Sequence, residues 1–163
     1  MRFDGSGGRS VNDLITDFDR ICAARPHTVV LVIGGNDLGL PGGDVRLIAR
    51  DLLAVCVRLQ KAGIRVVTCR AMPRYCMPKI VGRIHGIGEG DYLKKYWRDL
   101  SEFNVYLGTY AWQLGIGYWN FNRQFSKEGV RSKFDGDGIH LNDRGQYDLY
   151  RSLRGAALSA RSL

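Results

Sequence analysis

Thr28-Val-Val-Leu-Val-Ile33, followed at once by Gly34-Gly-Asn-Asp37, decides how the rest of the sequence is read. The first six residues form a continuous apolar, β-branched run. A strand buried on both faces, as in a parallel sheet, has this composition, because neither set of alternate side chains meets water. The Gly-Gly pair ends the strand and opens a turn.

Working outward, Ile64-Arg-Val-Val-Thr-Cys69 is a second such run and Gly117-Tyr-Trp-Asn-Phe121 a shorter third. Helices fill the intervals. Asp44 is placed to cap one running to about Lys61 and stopped by Gly63, with Ile48, Leu52, Val55 and Leu59 as its apolar stripe. Another spans about Tyr92 to Leu114 before Gly115, with Trp97, Leu100, Asn104, Leu107, Ala111 and Leu114 on one face. The last begins near Asp143, where Asp143 and Gln146 have capping-box spacing, and its stripe is Leu149, Leu153, Ala156 and Ala160. A first helix from about Ser10 to Ala24 carries Leu14, Phe18 and Ile21. Trp97, Trp112 and Trp119 are expected in the core. Strand–helix–strand units of this length require right-handed crossovers, with helices on both sheet faces. The expected fold class is α/β, a three-layer α/β/α sandwich with a mostly parallel sheet, in a single domain over residues 1–163. The one long irregular stretch is Pro73 to Gly90, whose glycines match no phosphate-binding pattern.

Composition bounds the function. The chain has 163 residues and 45% hydrophobic content, enough for one real core, and no run long enough to span a membrane. Its N-terminus is polar and glycine-rich, without the apolar run of a secretory leader. The formal net charge of +8 suits an acidic partner such as nucleic acid, yet no basic run exceeds Lys94-Lys95, and scattered basic residues read first as solvated surface. Cys22, Cys56, Cys69 and Cys76 show neither C-x-x-C nor zinc spacing, which points to reduced, buried cysteines and an intracellular (cytoplasmic) location.

In open α/β sheets, ligands bind beyond the carboxyl ends of the strands. Three segments should converge there: Gly34-Gly35-Asn36-Asp37, Gly5-Ser-Gly-Gly-Arg9, and Asp137-Gly-Ile-His140. A general base for a serine hydroxyl needs an imidazole in a fixed tautomer, and a carboxylate on the other ring nitrogen fixes it. Asp137 and His140 have that spacing, although an Asx-turn with an incidental histidine has it too. Asn36, behind two glycines, can aim an amide N–H at a developing oxyanion, or can simply be a turn residue. Gly7 or Gly8 can offer a backbone N–H to the same charge, or be a plain turn. Arg9, Arg74 and Arg83 can line the site and favour an anionic substrate, or be solvated loop residues. His27 and His85 read as surface residues, not metal ligands.

Together, G-x-N-D after a buried strand and D-x-x-H before the final helix resemble the SGNH/GDSL-like hydrolase family over nearly the whole chain. The resemblance implies a flavodoxin-like SGNH hydrolase fold. It also implies ester hydrolysis by a serine in a G-D-S motif, small-molecule ester substrates, and no metal or organic cofactor. Carried over, Asp137 orients His140, the base, while Asn36, Gly34 and Gly8 (less surely Gly7) match the oxyanion-hole motifs. Gly-Gly-Arg-Ser-Val at 7–11 and Asp-Gly-Ile-His-Leu-Asn-Asp-Arg-Gly-Gln-Tyr at 137–147 resemble, more narrowly, SGNH-type domains of animal transposon-associated proteins. One element departs from the pattern: no G-D-S precedes Gly5. Ser6 and Ser10 do not replace it, since both lie where the family places a backbone donor, and Ser10 also reads as a helix N-cap. The expectation is that the first strand and its nucleophile are missing, which leaves the neighbouring strand with an unpaired edge. The rival expectations are a catalytically inactive remnant serving as a binding module and a nucleic-acid-associated domain of a mobile element.

Overall fold

Three parallel strands, β1 (Thr28–Leu31), β2 (Arg65–Cys69) and β3 (Gly117–Trp119), lie in the order β1-β2-β3 in the computed structural model, which describes residues 7–121, 125 and 130–160. Val30 is in register with Val67, and Thr68 with Tyr118. The helices are α1 (Val11–Thr16), α2 (Phe18–Ala23), α3 (Gly35–Leu38), α4 (Val45–Lys61), α5 (Lys79–His85), α6 (Glu89–Gln113) and α7 (Asp143–Ser159). None of the described helices is long and apolar enough to cross a membrane.

The strand period of two sorts side chains between layers. Leu31 and Val66 join one core with α1, α4 and α6, where Leu52, Leu59, Phe103 and Leu107 are fully buried. Val67 and Cys69 point the other way, to Ala156 of α7 and to Phe121. The three-layer α/β/α arrangement is therefore present. β2 is the central strand. β1 pairs with β2 along one edge, and among the described residues no strand pairs with its other edge.

Local chemistry sets the boundaries. Asp44 caps α4, its carboxylate accepting from the Arg46 and Leu47 N–H groups at 2.9 and 3.1 Å. The last helix is capped one residue earlier than its spacing suggested: the Asn142 side chain accepts from Gly145 N–H at 3.0 Å. The first predicted helix is two helices, broken at Asp17, whose carboxylate is drawn to Arg9 and Arg20. The Pro73–Gly90 stretch is only partly irregular, since it contains α5 and the start of α6. The tryptophans depart most from expectation. Trp112 is 82% and Trp97 42% exposed, and Trp119 is half-buried. The buried stripe of α6 runs through Tyr96, Leu100, Phe103, Leu107 and Ala111, which leaves Trp97 and Trp112 on its flanks.

Candidate active site

After β1 the backbone turns through Gly34 at φ +103°, and a Cβ there would lie 2.7 Å from Cζ of the Phe103 ring. Both the left-handed conformation and the aromatic wall require glycine. The turn delivers Asn36 and Asp37 into the short α3. Asn36 Nδ2 donates to the Arg9 carbonyl at 2.8 Å, and the Asp37 carboxylate accepts from Val11 N–H at 3.1 and 3.2 Å. Two segments 26 and 27 residues apart are thus tied together. Burial pushes the Asp37 carboxyl above its ordinary pKa, opposed by the Val11 N–H. Ser10 caps α1 within a complete capping box: its Oγ lies 2.7 Å from Asp13 Oδ2 and 3.3 Å from Asp13 N. Its hydroxyl is committed to that cap. Ser6 lies outside the described residues.

The loop after β2 supplies the next wall. Asn104, buried in α6, accepts from Ala71 N–H at 2.8 Å, and the Tyr96 hydroxyl donates to the Met72 carbonyl at 2.7 Å. Held this way, the loop presents Arg74, which is only 8% exposed. Its guanidinium donates to Asn36 Oδ1 at 2.5 Å and to the Tyr92 hydroxyl at 3.1 Å, and lies 5.3 Å from the centre of the Tyr96 ring. Both ends of the Asn36 carboxamide are therefore engaged, and one Nδ2 proton is left over.

Asp137 and His140 occupy a turn closed by the isolated bridge between Phe134 and Leu141. Asp137 Oδ1 accepts from the Ile139 and His140 N–H groups at 2.8 and 3.0 Å, while Oδ2 meets His140 Nδ1 at 2.6 Å. The His140 hydrogen bond, then those of the two backbone N–H groups, hold the Asp137 carboxyl down to about 2. The turn is anchored to the β2 loop by Tyr75 N–H, which donates to the Gly138 carbonyl at 2.8 Å. Gly138 adopts φ +66°, and a Cβ there would lie 2.7 Å from Cys76 Sγ. The His140 side chain is 72% exposed, and Nε2 has no partner among the described residues.

These walls enclose a cavity of about 620 Å³. Gly8, Gly34, Asn36, Arg74 and His140 line it, and Asp137 stands behind His140. It also touches every residue from Thr28 to Ile33. Successive strand side chains point to opposite faces, so a cavity that meets all six runs along the backbone edge of β1. Of the arginines singled out in the sequence, Arg9 and Arg74 line it and Arg83 does not. Arg9 pairs with Asp17. Among the described residues no three His, Cys, Asp or Glu side chains converge as metal ligands would, and all four cysteines are free.

The family model of the GDSL-like lipase/acylhydrolase family matches residues 2–147. The chain belongs to this GDSL-like family. The match takes in Gly8, Asn36, Asp137 and His140 together. Among solved structures, the fold is similar to a GDSL-like lipase from Bacteroides thetaiotaomicron, at TM-score 0.77 and 16% identity, over 94% of this chain and 73% of that one. It is also similar to an acetylxylan esterase from Geobacillus stearothermophilus, solved as a catalytic mutant with serine replaced by alanine, at TM-score 0.68 and 15% identity, over 91% of this chain and 68% of that one. No curated protein matches the sequence.

Three contributors to the GDSL-like site's geometry were missed by sequence reading: Asp37 as the tether of α1, Tyr96 as the clamp on the β2 loop, and Arg74 as the partner of Asn36. Asp37 follows Asn36 directly and was open to notice. The partners of Arg74 lie 18 and 38 residues away, and no local pattern announces them.

Proposed function

We propose that this GDSL-like chain supplies the base, its orienting carboxylate and the oxyanion donors of an ester hydrolase whose serine arrives on an extended strand paired with the free edge of β1. The observation that carries the reading is the single cavity onto which Asn36, Gly8 and His140 all open, with Asp137 fixed behind the imidazole.

With Nδ1–H donated to Asp137, His140 presents Nε2 as the proton acceptor. The serine hydroxyl gives its proton to Nε2 as its oxygen bonds to the ester carbonyl carbon. The carbonyl oxygen becomes an oxyanion, held by the remaining Asn36 N–H and the Gly8 backbone N–H. Collapse breaks the ester bond, and the imidazolium protonates the departing alcohol. Water, deprotonated by His140, then bonds to the acyl carbon, and the acid is released as the imidazolium returns its proton to the serine oxygen. Gly34 contributes the tight turn that brings Asn36 to the cavity.

The edge of β1 supports the strand. Unpaired N–H and C=O groups inside a groove are a template for one more strand. The groove passes from Ala24 and Pro26 to Asn36 and His140, so a strand parallel to β1 delivers its C-terminal residue beside the imidazole. The helical layers flank the edge, which admits a single extended segment more readily than the edge of a second folded domain. The same geometry favours a second reading, a strand-binding module without turnover, because Ser10, the described serine next to the lining residues Gly8 and Arg9, has its hydroxyl committed to its cap.

The test uses p-nitrophenyl acetate and a synthetic peptide of β-branched apolar residues ending in Gly-Asp-Ser. Turnover is expected when the peptide is added, falling at least ~10²-fold with His140→Ala or with alanine in place of the peptide serine. Peptide binding without turnover selects the binding module. Turnover indifferent to His140→Ala overturns the hydrolase.

A further inference from the structure

We infer that the inner end of the cavity selects esters whose acyl portion carries a carboxylate, and that Arg74 is the residue that selects it. This names the substrate class of the proposed hydrolase site and rests on that reading for turnover, although not for binding.

The argument starts from charge. Arg74 is 92% buried by its 8% exposure, and no Asp or Glu forms an ion pair with it among the described residues. Buried cations are ordinarily paired, because removal from water is costly unless a counter-charge compensates. The other buried charge among the described residues follows that rule: Asp99, 3% exposed, is held between Lys95 and Arg98. Arg74 has instead a carboxamide oxygen, a phenol oxygen and an aromatic face. These acceptors orient the guanidinium without neutralising it.

Its donors are also only partly used. A guanidinium has five N–H groups. The two hydrogen bonds to Asn36 and Tyr92 use one each, which leaves three N–H groups uncommitted. Arg74 lines the cavity that holds Asn36 and His140, so an anion placed there sits in the reacting compartment and not at a distant site. Arg9 and Arg20, which also line the cavity, both pair with Asp17. Gly39 makes room for the guanidinium, since any Cβ at that position would collide with Nη1 of Arg74. The position is thus built around this side chain. A carboxylate suits it, because the planar fork takes two carboxylate oxygens at once.

The experiment titrates the isotope-labelled chain with monomethyl succinate and, in parallel, with methyl butyrate, a neutral ester of similar size. The shifts of Arg74 Nε–H and the Asn36 side-chain amide are followed. Monomethyl succinate is expected to bind about tenfold more tightly or better. Arg74→Gln should erase that preference and Arg74→Lys should keep part of it, which a purely structural arginine would not do. If Arg74→Gln unfolds the chain, Arg74→Lys and the salt dependence of the wild-type preference still decide. His140→Ala should leave the preference intact. Equal affinity for the two esters, or a preference that survives in Arg74→Gln, overturns the proposal. Intact preference with no peptide-dependent turnover would overturn the hydrolase alone.

Discussion

The two sides of the cleft are held in place by different means. On the Asn36 side, the polar side chains are braced over long sequence separations: Asn36 to Arg9, Asp37 to Val11 and Arg74 to Asn36, 26 to 38 residues apart. On the His140 side, the side-chain bonds of the dyad are local, with Asp137 bonded to residues two and three positions ahead and both side chains open to water, and the turn is anchored through backbone alone, by Tyr75 N–H on the Gly138 carbonyl. The contrast teaches that the proposed oxyanion side is inseparable from the fold, whereas the side chains of the proposed base and its carboxylate are held by a local device. Breaking a tie on the first side should cost stability; substitutions of the Asp137 and His140 side chains should cost the proposed chemistry alone.

The largest effect is expected at Gly34. Gly34→Ala forces a Cβ into the Phe103 ring at an unfavourable φ, and should lower unfolding stability by about 3 kcal/mol in a urea titration. An unchanged midpoint would break the comparison at its strongest point. Asn36→Leu should cost about 2 kcal/mol, since it leaves the Arg9 carbonyl and the buried Arg74 without their shared partner.

Asp37→Asn should act in the opposite direction. Burial raises the Asp37 pKa, so the folded chain binds that proton more tightly than the unfolded chain does. The ionised carboxylate therefore costs stability at neutral pH, and the cost fades as pH falls below the raised value. With the amide oxygen still able to accept from Val11 N–H, the variant should be more stable at pH 7 by less than about 1 kcal/mol, given the solvent screening of a half-buried group. The gain should shrink in acid, which chemical denaturation at two pH values would read.

On the other side of the cleft, His140→Ala should change stability by no more than about 0.5 kcal/mol, as for an exposed residue. The finest effect is a titration. Asp137 is held down to about 2, first by His140. Its bonds to the turn are thus complete above the ordinary carboxylate range and are lost only as pH falls through about 2. The carboxyl carbon signal should inflect there and move upward in His140→Ala.

This contrast also separates what could be read from the sequence from what could not. Thr28–Ile33 and Ile64–Cys69 are visible as strands because each is a continuous apolar, β-branched run; burial on both faces holds for Val66–Cys69, whereas Leu31 alone is buried in β1, whose outer edge is open among the described residues. Asp44 is visible as a cap because its partners are two and three residues on. The Asp137–His140 pair is legible for the same reason: its partners are near neighbours. α5 is hidden by Pro78 before it and Gly82 within it, where a Cβ would lie 2.6 Å from Met77 Cε, a constraint set by packing and not by propensity. Asn142 and Asp143 are both able to cap α7, and only the geometry chooses Asn142. In the sequence Arg74 is one of three loop arginines with equal claims, and only its distant partners Asn36 and Tyr92 single it out.

The central claim is that the cleft is an esterase site completed by a serine on the free edge of β1. It is tested most directly by exposing the Gly-Asp-Ser peptide to a fluorophosphonate and locating the adduct by mass spectrometry. The account predicts labelling of the peptide serine, accelerated by the wild-type chain and not by the His140→Ala variant. Labelling at the same rate with either chain, or without any chain, would contradict it.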